Sequence, residues 1–188
     1  MLPNNITGDS LFMNALDITK KACEKGGILY GGFARLLVKR GYNKDCPGNV
    51  NTINIIFPNS ESMNEYINSM GLSFRLDEDR YVWKNIIEVK VTTTFNKNDL
   101  RFDIDCLFIR MIDEKLVYET FGNYQIESLC NKIINNEAEI LYSHLRRCRS
   151  QEAFINNLNI LIRAGWKLKY KNFHVEYIDN PILQQLLA

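Results

Sequence analysis

The sequence predicts an α+β fold: a mixed β-sheet with helices packed on it, followed by a helical C-terminal subdomain. Three observations carry that prediction. Leu11, Ala15, Ile18 and Ala22 recur at helical spacing near the N-terminus. Short β-prone runs separated by polar turns occupy the middle of the chain, and past Gln125 the periodicity becomes helical again. The expected division is residues 1–120 for the sheet domain and 121–188 for the subdomain with its basic tail. At 188 residues the chain is long enough to bury a core of its own.

The elements follow in order. Asp9 and Ser10 are candidate caps for the first helix, and Gly26-Gly27 can end it in a left-handed turn. Ile28-Leu29-Tyr30 reads as a short buried strand, and Phe33 to Arg40 as a helix closed by Gly41. Residues 42–51, with Pro47 and Gly48, read as loop. Thr52 to Phe57 is a strand stopped by Pro58, with Thr52 and Asn54 on its polar face. Ser60 is a candidate cap for a helix to Met70. Strand-like runs follow at Leu72–Leu76, Tyr81–Trp83, Ile86–Phe95 and Leu100–Met111. In the last run Phe102, Ile104, Cys106 and Phe108 alternate with Asp103 and Asp105, so a strand would aim both carboxylates at one face. Helices are expected over 126–145 and 151–164, and residues 166–170 read as a short strand or an extended tail.

Composition excludes several classes. The five cysteines are scattered and form no C-x-x-C or Cys/His cluster, which argues for reduced thiols and against zinc. The N-terminus has no signal-peptide pattern, and the most apolar stretch, Ile28–Val38, is too short and too interrupted for a membrane span. An intracellular location, cytoplasmic or nuclear, is expected. His144 and His174 have no ligand or triad neighbours at useful spacing, and no Walker loop, dinucleotide fingerprint or nucleophile elbow is present. Asn and Ile are abundant, at 22 and 21 residues, the bias of an AT-rich genome.

Net charge is +1, yet seven Lys/Arg against two acids lie between Asp17 and Lys44, and seven against one between Leu141 and Lys171. In the second flank Arg146, Arg147 and Arg149 cluster, Arg163 follows, and Lys167, Lys169 and Lys171 share one face of an extended stretch. Trp166, Leu168 and Tyr170 take the other face. Such a surface suits nucleic acid through counterion release and base stacking. It equally suits a solubilising role with the aromatics in a core.

One ordered set of motifs concerns chemistry. Leu29-Tyr30-Gly31-Gly32-Phe33-Ala34-Arg35 is followed by Thr52-Ile53-Asn54-Ile55, and later by Phe102-Asp103-Ile104-Asp105. This order resembles the polymerase-beta-type nucleotidyltransferase superfamily, which reads h-G-G-x-x-R, then D-h-D-h, then h-D-h on a neighbouring strand. The Arg163-Ala164-Gly165-Trp166 turn resembles nucleotidyltransferase-like proteins of large DNA viruses, which would imply a virion or viral-factory setting. The resemblance implies nucleotide binding at Gly31, Gly32 and Arg35, where glycine admits a close triphosphate. A tight turn with close helix packing explains the same glycines.

The departure from the pattern matters more. The superfamily holds two magnesium ions on three carboxylates, and Thr52 and Asn54 stand where two aspartates are expected. Magnesium wants anionic oxygen, and a hydroxyl with an amide takes the pair's charge from −2 to zero. No metal or cofactor is therefore expected. A residual magnesium-dependent activity would fall to Asp103 and Asp105, with Asp45 as a displaced ligand. Otherwise these carboxylates are a solvated face, paired with Arg101 or Arg35. The expected function is a non-catalytic protein that binds nucleic acid, DNA ahead of RNA on the viral resemblance. The alternatives are an active transferase and a protein-binding scaffold.

Overall fold

The computed structural model describes residues 8–46, 48, 50, 52–74, 80–95, 100–141, 151–170 and 173–175. The fold is α+β, in two compact units: Met1–Phe95 with Leu107–Phe121, and Asn96–Cys106 with Gly122–Ala188. The segment 96–106 thus belongs with the C-terminal unit although it precedes residue 120. Among the described residues no helix is long and apolar enough to cross a membrane.

The first unit contains α1 (Gly8–Glu24), β1 (Ile28–Tyr30), α2 (Gly32–Tyr42), β2 (Thr52–Ile56), α3 (Ser60–Met70), β3 (Ser73–Phe74), β4 (Arg80–Trp83), β5 (Ile87–Thr92), β6 (Leu107–Ile112) and β7 (Lys115–Thr120). Its seven-stranded sheet has the order β3-β4-β5-β2-β1-β6-β7. The central strand β2 runs antiparallel to β1 and parallel to β5, so the sheet is mixed.

Alternation separates the two faces. Leu29, Ile53, Ile55, Ile87, Val89, Val91 and Ile109 are at most 2% exposed and pack with Ala15, Ile18, Phe33, Ala34, Leu36 and Tyr66 from the three helices. Each of these large aliphatic side chains contributes roughly 1.5–3 kcal/mol on burial. Tyr66 spends its one polar atom by donating to the Ile18 carbonyl at 3.1 Å. Burial pushes its phenol pKa up, so it stays neutral and a donor. The opposite face carries Tyr30, Thr52, Asn54, Glu88 and Lys90.

Helix ends follow local chemistry. α1 stops where Gly26 takes φ 84°, with Gly26 N–H donating to Cys23 O and Gly27 N–H to Ala22 O at 3.0 and 2.9 Å. α3 is capped by Asn59, whose side chain accepts from Ser62 N–H at 2.8 Å, one residue before the expected Ser60. α2 runs through Gly41 to Tyr42. Cys23, Cys46, Cys106 and Cys130 are all thiols, and burial raises Cys23 to about 12.

One expectation about strands needs correction, and one strand was not anticipated. The run Leu100–Met111 is not one strand: Asp103–Cys106 forms a 3-10 turn and β6 begins only at Leu107. The reason is local competition, because Asp103 Oδ1 accepts from Ile104 N–H at 2.8 Å and Asp105 Oδ2 from Phe102 N–H at 3.3 Å. The stretch after it also holds β7, an edge strand that pairs with β6 along its whole length across a turn in which Asp113 and Glu114 have φ 49° and 63°.

The second unit contains that 3-10 turn, α4 (Ile126–Ile134), β8 (Glu137–Glu139), α5 (Gln151–Arg163), β9 (Lys167–Tyr170) and β10 (Phe173–Val175). The helix expected over 126–145 stops at Ile134, because Asn136 enters the left-handed region at φ 55°. β8 pairs in parallel with β9, and β9 antiparallel with β10. Leu129, Ile133, Ala138, Leu158, Leu168 and Tyr170 are buried.

Gly27 has no room for a side chain: a Cβ would stand 2.8 Å from the Ala22 carbonyl oxygen and 2.9 Å from Ile55 Cγ2. Backbone cannot yield as a flexible side chain would. Gly27→Ala should therefore lower stability by about 2 kcal/mol, measured as a shifted urea midpoint at unchanged slope.

Candidate functional site

The β1–α2 turn is built on Gly31, whose φ of 82° and ψ of −147° suit only glycine. A Cβ there would also lie 3.0 Å from the Asn54 amide nitrogen, so the turn backbone and the β2 side chain are in close approach. Arg35 folds back toward the turn, its guanidinium 3.7 Å from where a Gly32 Cβ would be, and its backbone N–H donates to Gly31 O at 3.1 Å. The structure therefore brings Gly31, Gly32, Arg35 and Asn54 together. Tyr30 and Asn54 are direct cross-strand partners, and Thr52 lies two residues away on the same face.

The strand beside β2, on the side away from β1, is β5. Its register pairs Thr52 with Glu88 and Asn54 with Lys90. β6 lies beyond β1, paired through Tyr30↔Phe108. Asp103 and Asp105, expected on the neighbouring strand, instead occupy the 3-10 turn and belong to the other unit. The residue that sequence reading missed is Glu88. Its signal was present, since Ile87-Glu88-Val89 is an apolar-acid-apolar run in a strand of strict alternation.

This donor set does not fit a magnesium pair. Thr52 and Asn54 are neutral, Glu88 is engaged by Arg80 at 3.1 Å, and the position opposite Asn54 holds the Lys90 ammonium. A cation at that register repels a divalent ion where a third carboxylate would attract it. Among the described residues no three His, Cys, Asp or Glu side chains gather as a metal site.

On the same sheet face Tyr30 and Phe108 join an aromatic cluster. Tyr30 meets Phe95 edge-on at 5.6 Å, Phe95 stacks on Phe121 at 4.7 Å, and Phe121 stacks on Phe108 at 4.3 Å.

Asp103 has a different use. It is 1% exposed, and Lys132 on α4 donates to its Oδ2 at 2.5 Å. Its Oδ1 accepts from Ile104 N–H and from Glu139 N–H, each at 2.8 Å. One carboxylate thus ties the 3-10 turn, α4 and β8 together. Burial alone would lower the Lys132 pKa, but the hydrogen bond and charge of Asp103, with Glu139, outweigh it and hold it above the ordinary lysine value.

Of the basic C-terminal flank, Arg163 is exposed at the end of α5, and Lys167 and Lys169 point outward while Leu168 and Tyr170 are buried. The expected alternation is present. However, β8 places Glu137 opposite Lys167 and Glu139 opposite Lys169, so this face carries balanced charge. Arg146, Arg147, Arg149 and Lys171 lie outside the described residues. Asp45 is exposed in the turn after α2.

No protein-family model and no curated protein sequence matches the chain. Among solved structures the fold is similar to that of a tRNA-processing enzyme in an apo form, with a TM-score of 0.51 and 14% identity, over 90% of this chain and 45% of that one. The chain therefore spans less than half of that enzyme's length. At this identity the likeness concerns the fold alone, an α+β arrangement.

Replacing Asp103 with Ala leaves Lys132 and two N–H groups without their acceptor. The expected loss is about 3 kcal/mol, at the low end for a broken pair because Lys132 reaches solvent, measured by urea denaturation. Because the Lys132 pKa is raised on folding, the pair's contribution should be full below pH ~10.4. It should then fall away as pH rises through the folded value, as denaturation at alkaline pH would show.

Proposed function

We propose that this chain is a degenerate nucleotidyltransferase-fold protein that binds nucleic acid, RNA ahead of DNA, without two-metal nucleotidyl transfer. One observation carries the reading. The glycine turn and Arg35 lie beside β2, while the face they border carries Thr52, Asn54 and Lys90 where metal-holding carboxylates would be needed, and its carboxylate, Glu88, is engaged by Arg80. That arrangement supports binding over two-metal transfer.

The fold likeness to a tRNA-processing enzyme supports a nucleic-acid role and moves the preference from DNA to RNA. The DNA preference rested on the resemblance to proteins of large DNA viruses, and nothing in the geometry adds to it. Lys/Arg side chains near phosphates supply affinity by releasing counterions. Arg35 beside the turn and Arg163 at the end of α5 are candidate contacts, together with Arg146, Arg147 and Arg149. Lys167, Lys169 and Lys171 are weaker candidates, because Glu137 and Glu139 offset the first two.

An active transferase using Asp103 and Asp105 is less well supported. Asp103 already accepts from one ammonium and two backbone N–H groups. A metal ion would have to displace Lys132.

Two measurements test the proposal. Incubation with labelled nucleoside triphosphate and magnesium should give no label transfer. Affinity for single-stranded RNA should fall steeply with salt, with log K against log[salt] losing about 0.7 per phosphate contact. Magnesium-dependent transfer that vanishes in Glu88→Gln or Asp103→Asn would refute the non-catalytic reading.

A further inference from the structure

β1 is three residues long, and Tyr30 is its last residue before the Gly31 turn. A strand that short holds its own end weakly, since few ladder bonds remain to stop it fraying. Tyr30 lies between Asn54 on β2 and Phe108 on β6 in register, so a displaced Tyr30 would carry the turn away from Asn54.

Two rings from beyond the strand ends close over this residue. β5 stops at Thr92 and Phe95 follows it, while β7 stops at Thr120 and Phe121 comes next. In the sheet order β5 and β7 lie on opposite sides of the β1–β6 pair, so the rings arrive from both flanks. The bend before Phe95 is fixed locally, with Thr94 N–H donating to Thr92 Oγ1 at 3.1 Å and the Thr92 hydroxyl donating to Thr94 O at 3.0 Å. Phe95 then meets Tyr30 edge-on at 5.6 Å, and Phe121 stacks on Phe95 at 4.7 Å and on Phe108 at 4.3 Å. Phe108 is the cross-strand partner of Tyr30, which closes the circuit of four rings.

We propose that Phe95 is a positioning residue for the Gly31 turn. Through the ring of Tyr30 it holds the end of β1, and with it the approach of Gly31 to Asn54 and the bond from Arg35 N–H to Gly31 O that opens α2. The inference rests on the reading of this turn as a nucleic-acid contact and adds the group that prepares it. Edge-on and stacked rings contribute beyond the area they bury, so the circuit resists displacement of any one member. Phe121 is committed to two ring neighbours and Phe108 is 7% exposed, so the cluster supports the sheet face and offers little surface to a base. A turn held in place before its ligand arrives loses less freedom on binding, and the saving appears as affinity.

The test uses the full chain with Phe95→Ala, Phe95→Leu and Phe95→Tyr, and with Phe57→Leu as a control, since the Phe57 ring packs on Tyr66 of α3 at 5.1 Å. Amide hydrogen exchange is followed at Arg35, which reports the turn, and at Val89 in the middle of the sheet, which reports overall stability. Losing the ring in Phe95→Ala or Phe95→Leu should speed Arg35 exchange about fivefold. Phe95→Tyr, which keeps the ring, should match the parent, and Phe57→Leu should speed Val89 and leave Arg35 unchanged. Affinity for a short single-stranded RNA, read by fluorescence anisotropy, should fall about fivefold in the two ring-loss variants. The salt slope should stay the same, because no phosphate contact is removed. Arg35 exchange that keeps the parent's rate in Phe95→Ala, or rises equally in Phe57→Leu, would overturn the positioning role whether or not RNA binds. A parent that binds no RNA, with Arg35 exchange raised only where the ring is lost, would leave the positioning role standing and overturn the nucleic-acid reading.

Discussion

The backbone of Gly31 constrains most of what the first unit can do. At φ 82° and ψ −147° it reverses the chain from β1 into α2 within one residue, a conformation that a side chain would forbid. Because the reversal is that tight, α2 lands with Phe33, Ala34 and Leu36 in the core and its N-terminus beside β2. The close approach to Asn54, the fold-back of Arg35 and the direction of the outer face of α2 all follow from that turn. A wider loop would keep the core yet separate these groups.

Around the turn, charge decides chemistry more than shape does. The sheet face next to Gly31 has the geometry to present groups from two parallel strands in register, Thr52 with Glu88 and Asn54 with Lys90. What those positions contain is one hydroxyl, one amide, one carboxylate already engaged by Arg80, and one ammonium. Hard divalent cations need anionic oxygen at short range, and neither dipoles nor a neighbouring cation supply it. The same balance of charge lowers the standing of the C-terminal lysines, which face glutamates across β8 and β9.

In the second unit Asp103 shows how a motif residue can be absorbed into architecture. A carboxylate buried to 1% exposure must be paired, and here the ammonium of Lys132 and two backbone N–H groups do so. Its charge goes into holding the 3-10 turn, α4 and β8 in one arrangement. The short apolar core of Leu129, Ile133, Ala138 and Leu168 is organised around the same elements.

The sequence by itself determined whatever depends on near neighbours. Helical spacing located α1, Gly26 marked its end, and period-two alternation put Thr52 and Asn54 on one face of β2 and the lysines of β9 outward. Those patterns arise from the geometry of a few consecutive residues, so they can be read locally. Only the tertiary structure decided which strand lies beside β2. Alternation tells which way a side chain points and not which strand pairs with it. β5 with Glu88 therefore takes the place assigned to the Asp103 run. The 3-10 turn at Asp103, the stop of α4 at Asn136 and the bond to Lys132, 29 residues away in sequence, likewise depend on partners that local periodicity does not contain.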